Sequence, residues 1–180
     1  MNHSDYVDLL RPGNLPPGGT WADFGAGSGA FTFALRELIG AAAQIYALDR
    51  DRGSLGRLEQ AYRAAFGDIS GLHVVSADFS AAVRGLPPLD GILMANSLHF
   101  FKAKEDVLSH VRTFLKPAGL LLLVEYNVDT GNPWVPYPLS FKTFQSLALR
   151  AGFSEPRLLG LHPSSFLREF YSAMAISSPA

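Results

Sequence analysis

The sequence contains no cysteine among its 180 residues, which excludes disulfide bonds, thiolate metal ligands and cysteine nucleophiles. Charged residues are also scarce, at 17%, and the 15 Lys and Arg against 16 Asp and Glu leave a formal net charge of −1. No basic cluster is larger than the pair Lys102 and Lys104. The chain therefore lacks the positive patch with which proteins neutralise nucleic-acid phosphates, and we expect no nucleic-acid partner.

Long hydrophobic runs are missing as well. The apolar run at 120–124 is far shorter than the roughly 20 residues that a membrane-spanning helix needs. The N-terminus, MNHSDYVDLL, lacks the basic start and apolar stretch of a signal peptide. These features predict a cytoplasmic protein with no membrane span. Hydrophobic residues still make up 48% of the chain, enough for one domain with a buried core.

Residues 20–39, TWADFGAGSGAFTFALRELI, predict a strand, a glycine-rich turn and a helix. The mostly apolar run at 21–24 is typical of a strand buried on both faces. Gly25, Gly27 and Gly29 follow at alternate positions, and the next apolar residues recur with helical spacing up to Gly40. Such a unit binds nucleotides, because glycines let a ligand approach the backbone at a helix N-terminus. We expect an adenosine-like ligand here.

Strands and helices alternate along the rest of the chain. Further strands are predicted at 44–49, 72–76, 89–94 and 119–126, and helices at 55–66, 107–114 and 141–151. The last two strand-like runs, 157–161 and 169–176, are too close for a helix between them, so one of them should be antiparallel. We therefore predict an α/β fold with a doubly wound, Rossmann-like, seven-stranded and mostly parallel sheet that has an antiparallel C-terminal strand.

The chain is predicted to hold one domain, residues 20–180, behind an N-terminal segment, residues 1–19. The apolar residues of that segment could form one short amphipathic turn before the turn-rich run RPGNLPPGG. Two interpretations stay open for residues 1–19: a loosely docked tail, or a lid over the ligand.

Acidic residues mark the ends of three successive strands, where open α/β sheets bind their ligands. Asp23 precedes the glycines, and Asp49 lies 20 residues past Gly29, where a carboxylate can accept hydrogen bonds from ribose hydroxyls. Asp78 beside Phe79 offers an acceptor for an exocyclic amine next to an aromatic face, which suits adenine. Each acid alone could be a solvated loop carboxylate, but three at successive strand ends favour a site.

Five segments of the chain resemble class I S-adenosylmethionine-dependent methyltransferases. They are DFGAGSG at 23–29, the acid at 49, ADF at 77–79, LDGILMANSLHF at 89–100 and FLKPAGLLLLVE at 114–125. The resemblance spans about 19–176, and the most similar members are the small methyltransferase-domain proteins of the type 11 group, similar to ubiquinone/menaquinone biosynthesis methyltransferases. It implies S-adenosyl-L-methionine as the cofactor, S-adenosyl-L-homocysteine as its product, and a fold with an antiparallel seventh strand.

The resemblance also implies roles for the glycine-rich turn and the second strand. Gly25, Ala26 and Gly27 would give backbone contacts to the methionine and ribose portions of the cofactor. Asp23 would support that loop, and Asp49 would bind the ribose hydroxyls.

Four further cofactor contacts are implied by the same resemblance. Arg50 would lie beside the ribose site. Asp78 would accept a hydrogen bond from the adenine amine while Phe79 packs on the ring. Asn96, just past the fourth strand, would face the methionyl end and the transferring methyl group.

Methyl transfer requires few protein groups, because the sulfonium already activates the methyl and the protein mainly aligns the nucleophile and excludes water. A base is needed only if the accepting atom must lose a proton. His99 is the candidate catalytic base, since it follows the fourth strand and can titrate near neutrality. The alternative is a histidine that begins the next helix or packs on Phe100 and Phe101.

Residues 127–139, NVDTGNPWVPYPL, leave the carboxyl end of the fifth strand and are stiffened by three prolines. We expect this segment and residues 6–11 to wall the pocket of a small-molecule methyl acceptor. The candidate pocket residues are Tyr6, Tyr126, Trp134 and Tyr137. The alternative is a hydrophobic plug that seals the sheet edge.

Two other functions stay open at this point. Gly25-x-Gly27-x-x-Ala30 also satisfies the relaxed dinucleotide fingerprint of an NAD(P)-dependent oxidoreductase, although the chain has no Tyr-x-x-x-Lys pair. A non-catalytic module that only binds S-adenosylmethionine is the second. We predict no metal site, because no metal-ligand constellation is visible. The accepting atom and the oligomeric state are not predicted.

Overall fold

The protein is described here by a computed structural model that covers residues 1–178. Within this range the strands are β1 (Thr20–Phe24), β2 (Gln44–Asp49), β3 (Leu72–Ser76), β4 (Leu89–Ala95), β5 (Leu115–Tyr126), β6 (Arg157–Pro163) and β7 (Glu169–Ile176). The α-helices are α1 (His3–Leu10), α2 (Ala30–Ile39), α3 (Arg52–Phe66), α4 (Lys104–Arg112) and α5 (Phe141–Arg150). Two short 3-10 helices occupy Arg11–Gly13 and Leu98–Phe100.

The seven strands form one sheet in the order β3-β2-β1-β4-β5-β7-β6. Strands β1 to β5 pair in parallel, whereas β7 runs antiparallel to both β5 and β6. The predicted fold, including its antiparallel C-terminal strand, is confirmed. The strand order reverses between β1 and β4, and in such sheets the reversal opens a ligand crevice at the carboxyl ends of these strands.

Helices cover both faces of the sheet. On one face α1 and α2 pack on Trp21, Ile45 and Leu93, and α3 packs beside them on Ala47. On the other face α4 and α5 pack on residues of alternate register, such as Ile92 and Met94. This two-sided burial explains why the central strands are almost wholly apolar.

The N-terminal segment is a docked helix rather than a loose tail. Asn2 and Asp5 form a capping box at the start of α1. The side chains of Val7 and Leu10 are buried, and the Ser172 hydroxyl on β7 donates to the Leu9 carbonyl at 2.6 Å. The helix thus belongs to the same core as the sheet. The boundary between 1–19 and 20–180 stays a prediction, and residues 179 and 180 lie outside the described range.

Several element ends differ from the predicted ones, by at most four residues. Strand β5 begins at Leu115 and not at residue 119, because Leu115 pairs with Leu89 before the register shifts at Gly91. Helix α4 ends at Arg112, two residues earlier than expected. Among residues 1–178, no helix has the length and apolar character required to cross a membrane.

Candidate cofactor and acceptor site

The glycine-rich turn is held by backbone hydrogen bonds to β2. The N–H groups of Gly25 and Ala26 both donate to the Leu48 carbonyl, at 2.8 and 2.9 Å. Gly25 and Gly29 have φ angles of 85° and 96°, in the left-handed region. A Cβ atom on Gly25 would lie 2.5 Å from the Ser97 Cβ. The turn therefore requires glycine for both its backbone conformation and its close packing.

Asp49 connects β2 to this turn. One carboxylate oxygen accepts from the Gly27 N–H at 2.8 Å, and the other accepts from the Asp51 N–H at 2.9 Å. The carboxylate is thus fixed beside the glycine loop, and each oxygen keeps a lone pair for a further donor.

Three adjoining hollows run along the carboxyl edge of the sheet. The Asp78 hollow is lined by Gly25, Asp49, Arg50, Asp78, Phe79, Asn96, Ser97, Phe100 and Phe101. The Asp23 hollow is lined by Tyr6, Asp23, Gly25, Ala26, Ser28, Ala30, Phe31, Ala95 and Asn96. The Tyr126 hollow is lined by Met1, Tyr6, Asn96, Tyr126, His162, Pro163, Ser164, Ser165 and Phe170. Asn96 lines all three, and we call these adjoining hollows the groove.

Asp23 is buried at the floor of the groove with one oxygen unused. Its Oδ2 accepts from the Thr32 hydroxyl at 2.6 Å, whereas its Oδ1 has no hydrogen-bond partner. Burial raises the pKa of Asp23 to about 7, the Thr32 hydrogen bond opposes this rise, and the nearby charge of Asp49 adds to it. A buried acid with a free acceptor atom is poised to receive a cationic donor.

Asn96 stands where the three hollows meet, in a conformation rare for a residue with a side chain. Its φ is 52°, and its buried Oδ1 has no hydrogen-bond partner. The neighbouring Ser97 hydroxyl is also buried and unpaired. Strained backbone and unsatisfied buried polar atoms together are typical of ligand-binding sites.

At the other end of the groove, Asp78 and Phe79 follow β3. The Ser80 side chain and N–H donate to Asp78 at 2.6 and 2.9 Å, and this hydrogen bonding lowers the pKa of Asp78. Arg50, an exposed residue, approaches the second carboxylate oxygen of Asp78 at 3.5 Å. Phe79 stacks on Phe24 with ring centroids 5.3 Å apart. An acceptor and an aromatic wall therefore share this hollow.

His99 and Glu125 form a buried pair. The His99 Nδ1–H donates to Glu125 Oε2 at 2.7 Å, and the side chains are 4% and 0% exposed. The other oxygen, Oε1, accepts from the N–H groups of Leu98 and His99 at 2.9 and 3.1 Å. Glu125 thereby fixes both the position of the imidazole and its tautomer, leaving Nε2 unprotonated in the neutral ring. His99 also packs on Phe100, as the alternative interpretation expected.

The four candidate pocket residues are only partly brought together. Tyr6 and Tyr126 line the Tyr126 hollow. Trp134 is 72% exposed and lies outside it. Tyr137 donates its N–H to the His99 carbonyl at 3.0 Å, and its ring lies 5.6 Å from the Lys104 ammonium. Tyr137 thus supports the backbone behind His99 and lines none of the three hollows.

The segment 127–139 combines features of both predicted roles. Val135 and Leu139 are buried, as a plug would be. Trp134 projects outward and contacts Phe166 on the β6–β7 connection, with centroids 6.3 Å apart. Glu125 lies within the predicted strand 119–126 with no role assigned to it, and no pattern in the sequence singles out Phe166. Within residues 1–178, no three His, Asp or Glu side chains lie close enough to hold a metal ion.

A family model described as a methyltransferase domain matches residues 22–121, more than half of the chain. The chain belongs to the methyltransferase-domain family. The predicted class I, S-adenosylmethionine-dependent methyltransferase is thereby confirmed, and S-adenosylmethionine is its methyl donor. The match identifies a methyltransferase domain and not an NAD(P)-dependent oxidoreductase.

Other proteins share part of the sequence of this methyltransferase-family chain or its fold. A 105-residue stretch is 29% identical to part of the hybrid PKS-NRPS synthetase fsa1 of a Fusarium species, and this stretch covers 57% of the chain but 3% of that much longer protein. The fold is similar to the YcgJ protein of Bacillus subtilis, with a TM-score of 0.80, 11% identity and coverage of 99% and 100% of the two chains. It is also similar to the magnesium protoporphyrin IX methyltransferase of Synechocystis with bound S-adenosylmethionine, with a TM-score of 0.72, 19% identity and coverage of 97% and 77%.

Proposed function

We propose that the Asp78 and Asp23 hollows together hold S-adenosylmethionine, with its adenine at Phe79 and its methionine portion at Asp23. The unpartnered Oδ1 atoms of Asp23 and Asn96 support this orientation, because the ammonium group of the cofactor supplies the missing donor. Asp49 would accept from the ribose hydroxyls through its remaining lone pairs. When bound, the cofactor supplies a methyl group activated by its sulfonium.

The backbone around the glycine turn is suited to this role. The Gly27 position has open space where a side chain would be, with no atom within 4 Å of an added Cβ. Gly25 and Ala26 line the groove directly. At the adenine end, Asp78 would accept from the exocyclic amine, and Arg50 would then give up part of its contact with Asp78.

We further propose that the acceptor is a small molecule whose accepting atom loses a proton, and that His99 removes it. The single observation that carries this proposal is the buried His99–Glu125 pair, with 2.7 Å between Nδ1 and Oε2. With Nδ1–H held by the carboxylate, Nε2 takes the proton and the Glu125 charge stabilises the resulting imidazolium. Tyr6 and Tyr126 would wall the acceptor and exclude water. A cytoplasmic location and the absence of nucleic-acid partners remain predictions from the sequence.

A screen for S-adenosylhomocysteine release over phenols, amines and β-keto esters tests the proposal. Once an acceptor turns over, His99→Ala should lower the rate about 10²- to 10⁴-fold, the usual contribution of a general base. Cofactor affinity should change little. The control is His110→Ala, whose imidazole is half-buried, hydrogen-bonds to the Ala81 carbonyl at 2.9 Å and lines none of the three hollows. Full turnover in His99→Ala would refute the base assignment and leave the methyltransferase intact.

A further inference from the structure

Two loops place exposed aromatic rings side by side near Tyr126. Trp134, on the β5–α5 connection, is 72% exposed, and Phe166, on the β6–β7 connection, is 50% exposed. Their ring centroids are 6.3 Å apart, in an edge-to-face arrangement. Neither ring contributes to a buried core, so packing of the fold does not account for them.

The exposed pair is continuous with the proposed acceptor site. Phe166 lies 6.0 Å from Tyr126, and Tyr126 lies 6.2 Å from His99, measured between ring centroids. We call Tyr126, Phe166 and Trp134 the aromatic rim. It extends from Tyr126, which lies beside the buried His99, outward to solvent.

Local hydrogen bonds hold the backbone of both outer residues in place. The Asn132 side chain accepts from the N–H groups of Trp134 and Val135, both at 2.9 Å. The Ser164 hydroxyl accepts from the N–H of Phe166 at 3.2 Å, and the Ser164 N–H donates to the Arg168 carbonyl at 2.8 Å. The backbone that carries the two outer rings is therefore held before any ligand arrives, which lowers the entropic cost of binding.

The hollow behind the rim has little charge. Of the described residues that line it, none is a lysine, arginine, aspartate or glutamate, and His162 is the one basic side chain. Its Nδ1–H donates to the Pro163 carbonyl at 2.8 Å, and its Nε2 lies 3.5 Å from Asp5. Among the side chains that line the hollow, only His162 could pair with a phosphate or a carboxylate, and the Asp5 carboxylate already faces its Nε2.

From these observations we propose that the rim binds the apolar tail of a neutral acceptor, an alkyl or aryl chain that extends past the reacting head group. This rests on the proposed function only in that the head group faces His99. Burial of such a tail against the exposed Trp and Phe rings favours binding by roughly 25 cal/mol for each Å² of apolar surface removed from water. The geometry makes Phe166 and Trp134 specificity-determining residues.

The protein carries a natural reporter for this proposal. It has two tryptophans, and Trp21 is fully buried with its indole N–H donating to the Gly18 carbonyl at 3.1 Å. A change in emission on ligand binding therefore reports on Trp134. The probes are butyl, hexyl and octyl acetoacetate, which share one neutral head group, added with saturating S-adenosylhomocysteine.

We expect a shift of Trp134 emission to shorter wavelength and an affinity that rises about two- to fourfold for each added methylene. Phe166→Ala should flatten the dependence on chain length. The control Leu149→Ala removes a side chain that is 53% exposed on α5 and should leave the dependence unchanged. The proposal would be overturned by equal affinity for all three esters. It would also be overturned if affinity depended on chain length as strongly in Phe166→Ala as in the wild type.

The same titrations distinguish other ligands of the aromatic rim. They also separate failure of this proposal from failure of the proposed base. An emission shift with neutral phosphatidylcholine vesicles but with none of the free esters would assign the rim to a lipid surface and overturn the proposal. Length-dependent binding together with full turnover in His99→Ala would uphold the rim and refute the proposed base. Turnover with a KM independent of chain length would uphold the base and overturn the rim.

Discussion

Replacing Asp23 by asparagine should stabilise the cofactor-free protein while weakening its cofactor binding. The pKa of Asp23 is raised from 3.8 to about 7, first by burial. Ionising this group inside the fold is therefore unfavourable by about 1.4 kcal/mol per pKa unit, or roughly 4 kcal/mol in all. Asparagine keeps an oxygen for the Thr32 hydroxyl and carries no charge.

The sign of the pH dependence follows from the raised pKa. Protonated Asp23 favours the folded state, so its contribution is fully present below about pH 4. It is lost as the pH rises to about 7 and is absent above that. At pH 8 we expect Asp23→Asn to exceed the wild-type free energy of unfolding by up to about 4 kcal/mol, and at pH 4 by little.

Urea unfolding of the cofactor-free protein from pH 4 to pH 8.5, with a titration of S-adenosylhomocysteine at pH 8, measures both effects. The variant should bind about 10- to 100-fold more weakly, because a hydrogen bond to a charged group is lost. Asp8→Asn, which changes a carboxylate that is 70% exposed, is the control. Parallel stability profiles for Asp23→Asn and wild type would refute the reasoning, and so would unchanged affinity.

Three further substitutions can be checked by the same urea titrations. Gly91→Ala should lower the free energy of unfolding by about 1–3 kcal/mol, because the new Cβ would lie 2.1 Å from the Trp21 ring; a neutral result would mean that the ring has room to move. Glu125→Ala should cost about 3–5 kcal/mol, since it strips partners from a buried imidazole and two N–H groups, and a loss below 1 kcal/mol would contradict the described pairing. Arg50→Ala should change stability by less than about 1 kcal/mol, because its 3.5 Å contact with Asp78 is exposed; a larger loss would assign Arg50 a structural role.

Local sequence was sufficient to predict the glycine-rich turn and the order of strands and helices along the chain. Gly25, Gly27 and Gly29 adopt left-handed φ angles that few other residues tolerate, so their spacing alone marks the turn. Asp49 could be placed because it ends β2, which pairs directly with β1. In both cases the decisive contacts lie within one βα unit and its neighbouring strand.

The partners of His99 and Tyr126 could not be found in this way. Glu125 reaches His99 only because β4 and β5 pair in parallel and bring residues 26 apart into contact. Phe166 meets Trp134 through two loops whose conformations depend on the Asn132 and Ser164 side chains. No periodicity in the sequence encodes such contacts, which is also why Tyr137 was expected in the acceptor pocket and lies behind His99 instead.

The central claim is that the groove along Asp23, Asp49 and Asp78 binds S-adenosylmethionine. Calorimetric titration of the purified protein with S-adenosylmethionine, S-adenosylhomocysteine and NAD tests it most directly, beside an Asp49→Ala variant and the Asp8→Asn control. We predict micromolar binding of the two sulfur ligands, loss of at least 10-fold in affinity in Asp49→Ala, and no binding of NAD. Binding of NAD alone, or undiminished affinity in Asp49→Ala, would contradict the account.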